Sequence, residues 1–555
     1  MKTIEEKYLY WCENAKEDED LIKELNSIKG DNSKIEDAFY RELEFGTGGL
    51  RGVIGAGTNR MNIYIIRKAS QGLANYVNNH FKYGSVAISF DSRIKSDLFA
   101  KVAADVFASN GLKVFIYKEL MPTPCLSYAV RELKCSAGIM VTASHNPSKY
   151  NGYKVYGEDG CQITVNAAAE ILSEIEKIDP FKNVKVGKNQ NYINVISDDV
   201  YTKFIERVKK ESVLKDEKIN KDVSIIYSPL NGTGLKPVTR ILKECGYNNV
   251  IVVKEQEQPD GNFTTCPYPN PEIQEAMQLG IEYAKKHNAD LLIATDPDCD
   301  RVGIAVKDGE DYRLLSGNQV GVLLLDYVCS MRIKHGTMPK DPVCVKTIVT
   351  TDMTKAVAES YGVKVVDVLT GFKYIGEQIA YLEKDHKEDS YILGFEESYG
   401  YLSGSYVRDK DAVDGTFLIV EMFAYYKTNN ISLIEKLNEL YQRYGLYSNY
   451  LKSYAFEGST GFKKMNDIMD TLRKETKGIG KYQLTKVLDY SKGIDGLPKS
   501  NVLKMFFEND ITLVARPSGT EPKLKFYISL RGTKEEDNKK TMEDLLSTIE
   551  KTVIN

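Results

Sequence analysis

Tryptophan occurs once in 555 residues and histidine five times, and the nine cysteines are scattered with no C-x-x-C pair. An odd, unpaired set of cysteines gives neither a disulfide framework nor a zinc ribbon. An excess of charge of either sign is missing too: Lys plus Arg number 74 against 78 for Asp plus Glu, a formal net charge of −4. Polyanion binders carry a basic excess, so this balance speaks against a nucleic-acid partner. No apolar run approaches the roughly 18 residues of a membrane span. The longest, 321–328, is interrupted by Asp326. The amino terminus, Met1-Lys-Thr-Ile-Glu-Glu-Lys, is charged where a signal peptide has an apolar core. G-x-x-x-x-G-K-[ST] occurs nowhere, and Gly46-Thr-Gly-Gly-Leu-Arg lacks the last glycine of a dinucleotide fingerprint. These absences disfavour membrane and secreted proteins, P-loop NTPases and Rossmann dehydrogenases. A cytoplasmic, multidomain protein is expected, and nothing here reads out its oligomeric state.

Hydrophobic residues make up 42% and charged residues 27%, ordinary globular usage. The length corresponds to about three to four domains. Short β-branched runs at 85–90, 113–117, 137–142, 223–227, 249–253, 290–295, 343–349, 363–368 and 391–395 are separated by helix-length segments. That alternation predicts βαβ units with mainly parallel sheets. Polar stretches at 182–191, 308–311 and 427–430 read as joints. The division is into α/β units over 1–200, 201–308 and 309–430 and a smaller α+β unit over 431–555. In the last unit two strands flank a Pro/Gly loop, and Thr533 with Glu536 forms a capping-box pattern opening a helix.

Three loops carry chemistry. Thr142-Ala-Ser-His-Asn-Pro-Ser follows the run AGIMV, which puts Ser144 at the carboxyl end of a strand, where ligands gather in open α/β sheets. A hydroxyl there can be a nucleophile, with His145 beside it. The same residues also make an ordinary Asx or Ser turn, and no G-x-S-x-G elbow supports a serine hydrolase. In Ala294-Thr-Asp-Pro-Asp-Cys-Asp-Arg, Asp296, Asp298 and Asp300 alternate. In an extended loop they can converge on a hard cation, Mg²⁺ being the natural guest. An EF-hand is excluded because Arg301 stands where glycine is needed and Lys307 where the bidentate glutamate belongs. Ala515-Arg-Pro-Ser-Gly-Thr-Glu-Pro, with Lys525 after it, offers a guanidinium fork, hydroxyls and close backbone amides for phosphate, or a plain Pro/Gly turn. Nucleophile, cation and phosphate clamp together suit phosphoryl transfer through a serine.

At this point the chain resembles the α-D-phosphohexomutase superfamily, closest to its phosphoglucomutase and phosphomannomutase members. The likeness runs in order over 45–530: Phe45-Gly-Thr-Gly-Gly-Leu-Arg-Gly, TASHNPSKYNGYK at 142–154, ATDPDCDR at 294–301, Thr370-Gly-Phe-Lys-Tyr-Ile, Gly394-Phe-Glu-Glu-Ser-Tyr-Gly, and ARPSGTEPKLKFY at 515–527. The resemblance implies three α/β domains of similar topology and a C-terminal α+β domain around a central cleft. It implies that Ser144 is phosphorylated and that Asp296, Asp298 and Asp300 hold Mg²⁺ together with an oxygen on Ser144. Arg51, His145 and Lys154 would line the transfer site. Arg301, Lys346, Thr370, Gly371, Lys373, Glu396, Ser398 and Lys410 would contact the sugar. Arg516, Ser518, Gly519, Thr520 and Lys525 would grip the non-reacting phosphate.

The activity so implied is interconversion of glucose 1-phosphate and glucose 6-phosphate through glucose 1,6-bisphosphate. Phosphomannomutase, bifunctional or phosphopentomutase activity is the alternative. A non-catalytic binding protein would need a broken site, and a phosphatase hardly needs four converging loops. Asn231, where many relatives carry His, falls in a segment that reads as structural. Residues 1–44 read as a helical extension without chemistry.

Overall fold

The computed structural model describes residues 3–46, 48–456, 458–474, 477–494, 496–518 and 523–554, without the side chains of 458–460. Four sheets follow one another along the chain. The first joins β1 (Gly49–Val53), β2 (Ser85–Phe90), β3 (Lys113–Ile116), β4 (Ala137–Val141), β5 (Tyr150–Gly157) and β6 (Ile193–Val195) in the order β1-β5-β4-β2-β3-β6. The second joins β7 (Ile225–Ser228), β8 (Val250–Val252), β9 (Leu291–Thr295), β10 (Val302–Asp308) and β11 (Asp311–Leu315) in the order β11-β10-β9-β7-β8. The third has β12 (Val343–Thr347), β13 (Lys364–Val368), β14 (Tyr391–Glu396) and β15 (Gly400–Leu402), ordered β13-β12-β14-β15. The central strands β4, β9 and β14 are buried along their whole length, which is why each reads as an unbroken apolar run with no polar alternation.

The fourth sheet is antiparallel throughout: β16 (Leu446–Ala455), β17 (Gly478–Ile479), β18 (Tyr482–Asp489), β19 (Leu503–Phe507), β20 (Ile511–Pro517) and β21 (Lys523–Gly532), ordered β16-β21-β20-β19-β18-β17. The expected architecture, three α/β units followed by an α+β unit, is therefore present. Of the fourth sheet, only the strands on either side of the Pro/Gly loop are legible in the sequence.

Two expectations are corrected and one is refined. Among the described residues the three α/β sheets have seven parallel pairings and five antiparallel ones, the antiparallel share arising because each chemistry-bearing loop returns the chain antiparallel: β4 to β5, β9 to β10 and β14 to β15. The fourth loop does the same between β20 and β21. The polar stretch at 308–311 is no joint but the tight turn of the β10–β11 hairpin, with Asp308 opposite Asp311 and Gly309 at φ +64°. The last long helix, Glu535–Ile549, is preceded by Lys534 as N-cap and has no side-chain cap. Thr533 thus lies one position before the N-cap and Glu536 at the second helical position, so the pair does not form a box. Three acids in the first turn, Glu535, Glu536 and Asp537, face the amino-terminal end of the helix dipole instead.

The N-terminal extension forms three helices, Ile4–Asn14, Glu19–Ser27 and Asn32–Phe39. Its single tryptophan, Trp11, meets Phe39, Tyr64 and Phe181 edge-on at centroid distances of 5.9, 5.7 and 5.3 Å. Such pairs each add about 1 kcal/mol beyond the area they bury. The fourth unit sits on the third through an apolar seam that includes Ile348, Leu369, Val514 and Tyr527. Beside it the buried Lys504 donates to the Ile348 carbonyl at 3.0 Å and lies 3.4 Å from Asp352. Among the described residues no helix is long and apolar enough to cross a membrane.

Candidate active site

Ser144 lies just past the end of β4 and is 9% exposed. Its backbone is left-handed (φ +53°), a conformation L-residues adopt only when their surroundings impose it. Two neighbours impose it. The Ser144 N–H donates to Thr142 Oγ1 at 2.8 Å, and that hydroxyl donates to Asp91 Oδ2 at 2.6 Å. Arg93, 3% exposed, gives its guanidinium to the carbonyls of Ser144, Asn146, Pro147 (3.0 Å) and Tyr150 (3.2 Å), with its Nε 3.3 Å from Asp91. The fixed fork of arginine can hold several carbonyls in one plane where lysine could not. So held, Ser144 Oγ donates to Asp296 Oδ2 at 2.9 Å and lies 3.2 Å from His145 Nδ1. Burial, with Arg301 nearby, pushes His145 well below the usual histidine range.

Asp296, Asp298 and Asp300 follow β9, all buried, with one carboxylate oxygen of each within 4.8 Å of the others. Burial, then repulsion from Asp298 and Asp300, raises Asp296 well above the ordinary carboxylate range. Burial and Asp298 likewise raise Asp300. Asp298 goes the other way: burial opposes its charge, but the Lys154 ammonium at 2.8 Å holds it low. Asp298 Oδ1 and both oxygens of Asp300 are buried and accept no hydrogen bond. A cluster of hard oxygen donors with orphaned lone pairs and mutual repulsion fits a divalent cation such as Mg²⁺.

The loop is buttressed by the segment at 229–234. Pro297 carbonyl accepts from the N–H and Oγ1 of Thr233 at 2.8 and 3.0 Å. A Cβ on Gly232 would come within 2.4 Å of Pro297 Cα. Asn231 turns its amide to the carbonyls of Glu255 and Gln258, at 3.3 and 2.7 Å.

Strand register places the next two candidates. Lys154 sits on β5 opposite Met140 of β4 and Gly49 of β1, and Arg51 sits opposite Gly152. Gly49 (φ +142°) must be glycine, since a Cβ there would fall 1.9 Å from the Tyr153 carbonyl. Lys154 also lies 3.5 Å from Asp300, and these carboxylates raise its pKa against the effect of burial. Arg51 is exposed, and its charge reaches His145 and Arg93.

The third unit adds Lys410, whose Nζ lies 3.1 Å from Asp300 Oδ2 and 2.9 Å from Asp409 Oδ1, over the Phe372 ring. Arg301 pairs with Glu272 at 2.5 Å. Glu396 is 5% exposed; burial raises it, while Lys410, Arg301 and the Ser398 hydroxyl lower it. Thr370 Oγ1 is buried without a hydrogen bond, and Gly371, at φ +121°, precedes the helix that carries Lys373. Burial lowers the Lys373 pKa.

Lys346 departs from expectation. It is fully buried, donating to the carbonyls of Thr347 and Thr350 and pairing with Asp352 and Asp367 at 3.1 and 2.9 Å. Its ammonium is engaged by two carbonyls and two carboxylates, partners about which the short Val-Lys-Thr match carries no information.

In the fourth unit Arg516 and Lys525 are cross-strand partners on β20 and β21. Burial and the Arg516 charge lower Lys525, while the charges of Glu397 and Glu272 raise it. Two adjacent cations at a strand return make an anion site. The Ser518 N–H closes the loop on the Lys523 carbonyl at 2.7 Å. Gly519 and Thr520 lie outside the described residues.

Sequence reasoning passed over Asp91, Arg93, Glu272, Glu397 and Asp409. Asp91-Ser-Arg93 follows the run SVAISF directly, the same strand-end signal that singled out Ser144 and Asp296. Glu397, raised to about 7 by burial and by Glu396, directly follows Glu396.

Known proteins match the chain over most of its length. Models of phosphoglucomutase/phosphomannomutase alpha/beta/alpha domains I, II and III match residues 42–182, 199–309 and 316–444. The chain is 37% identical over 540 residues to a phosphoglucomutase of Staphylococcus saprophyticus, covering 94% of this chain and 96% of that one. It is 36% identical over 537 residues to that of Staphylococcus aureus, covering 94% and 95%. In solved structures its fold resembles parafusin, a Paramecium phosphoglucomutase (TM-score 0.70, 17% identity, 92% of this chain and 96% of that one). It also resembles a phosphoglucomutase/phosphomannomutase family protein of Burkholderia thailandensis (TM-score 0.68, 20% identity, 91% and 96%).

Proposed function

The chain belongs to the phosphoglucomutase/phosphomannomutase family, and we propose that it interconverts glucose 1-phosphate and glucose 6-phosphate through phosphorylated Ser144. The observation that carries the reading is the hydrogen bond from Ser144 Oγ to Asp296, the point where the nucleophile of the first unit meets the buried carboxylates of the second. The staphylococcal phosphoglucomutases, alike over nearly the whole chain, support glucose as the sugar.

In the first half-reaction the phosphorus–Oγ bond of phospho-Ser144 breaks and a bond forms to the 6-hydroxyl oxygen of glucose 1-phosphate, giving glucose 1,6-bisphosphate. The hydroxyl proton leaves to a base lining Ser144, a role open to His145, which burial keeps neutral, whereas Lys154, held charged by Asp298 and Asp300, stabilises negative charge. After the bisphosphate turns over, Ser144 Oγ gives up its proton and takes the 1-phosphoryl group, the bond between that phosphorus and O1 breaks, a proton is returned to O1, and glucose 6-phosphate departs. Arg51 faces the transferring group and helps disperse its charge. Asp296, Asp298 and Asp300 would hold Mg²⁺, which when bound neutralises charge on the phosphoryl oxygens. Arg516 and Lys525, with Ser518, grip the phosphate that is not reacting, whichever end of the sugar bears it. Glu396 accepts from sugar hydroxyls and Lys410 donates to them.

The test is a coupled assay with Mg²⁺ and a trace of glucose 1,6-bisphosphate, run on glucose, mannose and ribose 1-phosphates in parallel. Preference for glucose is the expected result. Preference for mannose or ribose would keep the mechanism and overturn the sugar, and isomerisation of none would end the mutase reading.

A further inference from the structure

The serine and the aspartates stand on different sheets, so something must hold those sheets in register. Thr123 opens the helix Thr123–Glu132 of the first unit and is fully buried. Its N–H is one of the orphan donors every helix start exposes, and Pro122 before it supplies no side-chain cap. Both Thr123 donors go to one residue of the second unit. The N–H reaches the Asp298 carbonyl at 3.0 Å, and Oγ1 reaches Asp298 Oδ2 at 3.0 Å. The other donor to that oxygen is Lys154, at 2.8 Å. With Oδ2 engaged twice, the oxygen left over is Oδ1, buried and accepting no hydrogen bond.

We propose that Thr123 is a positioning residue for the cation site, an inference that rests on the metal reading given above. Its hydroxyl sets the rotation of the Asp298 carboxylate, holding Oδ2 with Lys154 and leaving Oδ1 as the oxygen without a hydrogen bond for the cation. Its amide ties the aspartate loop to the unit that carries Ser144. Lys154 cannot do this alone, because its ammonium rides on a flexible four-carbon stem, whereas a buried, β-branched threonine has little rotamer freedom. Partners of this kind, one step removed from a metal, typically change its affinity by about 10–100-fold.

The test is calorimetric titration of the intact protein with Mn²⁺, alongside thermal unfolding without metal, for the parent, Thr123→Ser and Thr123→Val. Serine, which keeps the hydroxyl, should bind within about threefold of the parent, and valine should bind about 10–100-fold more weakly. Valine binding within about twofold of the parent, whatever its melting temperature, would overturn the proposal, since a purely structural hydroxyl moves stability and not affinity. Should valine fail to fold, Thr123→Ala takes its place with the same reading. A parent that binds no Mn²⁺ would remove the metal reading itself, an outcome distinct from loss of the Thr123 role alone.

Discussion

Ser144 Oγ donates a 2.9 Å hydrogen bond to Oδ2 of Asp296, joining residues 152 positions apart in the chain. The bond makes the serine hydroxyl a neighbour of the cluster in which three buried carboxylates crowd together. Ser144→Ala should therefore abolish isomerisation while leaving the fold intact. Asp296→Asn should reduce the rate by more than the roughly 10–100-fold that loss of an outer partner costs a metal site. Steady-state kinetics and circular dichroism of the two variants check both statements.

Removing divalent metal should silence the enzyme. Asp296 and Asp300 are raised by burial and mutual repulsion, so a cation at the cluster relieves an existing strain. Chelation should stop turnover and lower the melting temperature, and added Mg²⁺ should restore both, because a ligand of the native state stabilises it by mass action. A melting temperature indifferent to chelation and to added Mg²⁺ would contradict the fit argued for these aspartates.

Arg516 should act on binding more than on chemistry. Its partner across the strands is Lys525, and the pair belongs to the fourth sheet, whereas the Ser144 loop follows a strand of the first. Arg516→Ala should raise KM by about 10–100-fold, the equivalent of a charged hydrogen bond worth ~1.5–3 kcal/mol, with a smaller effect on kcat. Arg516→Lys should recover only part of the loss, since lysine lacks the planar fork.

Stability should fall as pH rises from about 4.5 to about 7. Glu421, buried, accepts from Tyr327 Oη and the Val213 N–H, each at 3.1 Å, and burial raises it from 4.5 to about 7. A carboxyl raised in the folded state binds a proton that the unfolded chain has already released across that window. Its contribution is fully present below 4.5 and is lost as pH climbs through 7. The shift corresponds to about 3 kcal/mol. Glu421→Gln should flatten the dependence of the melting temperature on pH between 5 and 8. An unchanged slope would show that Glu421 does not titrate there.

Much of this was legible in the chain. The runs that became β4, β9 and β14 stand out because strands buried on both faces carry no polar alternation. Ser144 and the three aspartates stand out because they follow such runs at once. Register stayed hidden. Nothing in the sequence says that β4 and β5 run antiparallel, yet that pairing sets Lys154 opposite Met140 and sends its ammonium to Asp298. Long-range partners were equally invisible. Lys346 looked available until Asp352 and Asp367 closed on it, and Arg93, passed over in the sequence, has its guanidinium on the carbonyls of the Ser144 loop. The fourth sheet was hardest to read, because half-exposed strands such as β16 and β18 carry no continuous apolar run.

The central claim is that Ser144 carries the phosphoryl group between the two ends of the sugar. The most direct measurement is mass spectrometry of peptides from protein stripped of phosphate and then mixed with glucose 1,6-bisphosphate and Mg²⁺. One phosphoryl group on the peptide containing Ser144, with release of glucose monophosphate and no inorganic phosphate, is the predicted result. Inorganic phosphate accumulating while Ser144 stays unmodified would contradict the account.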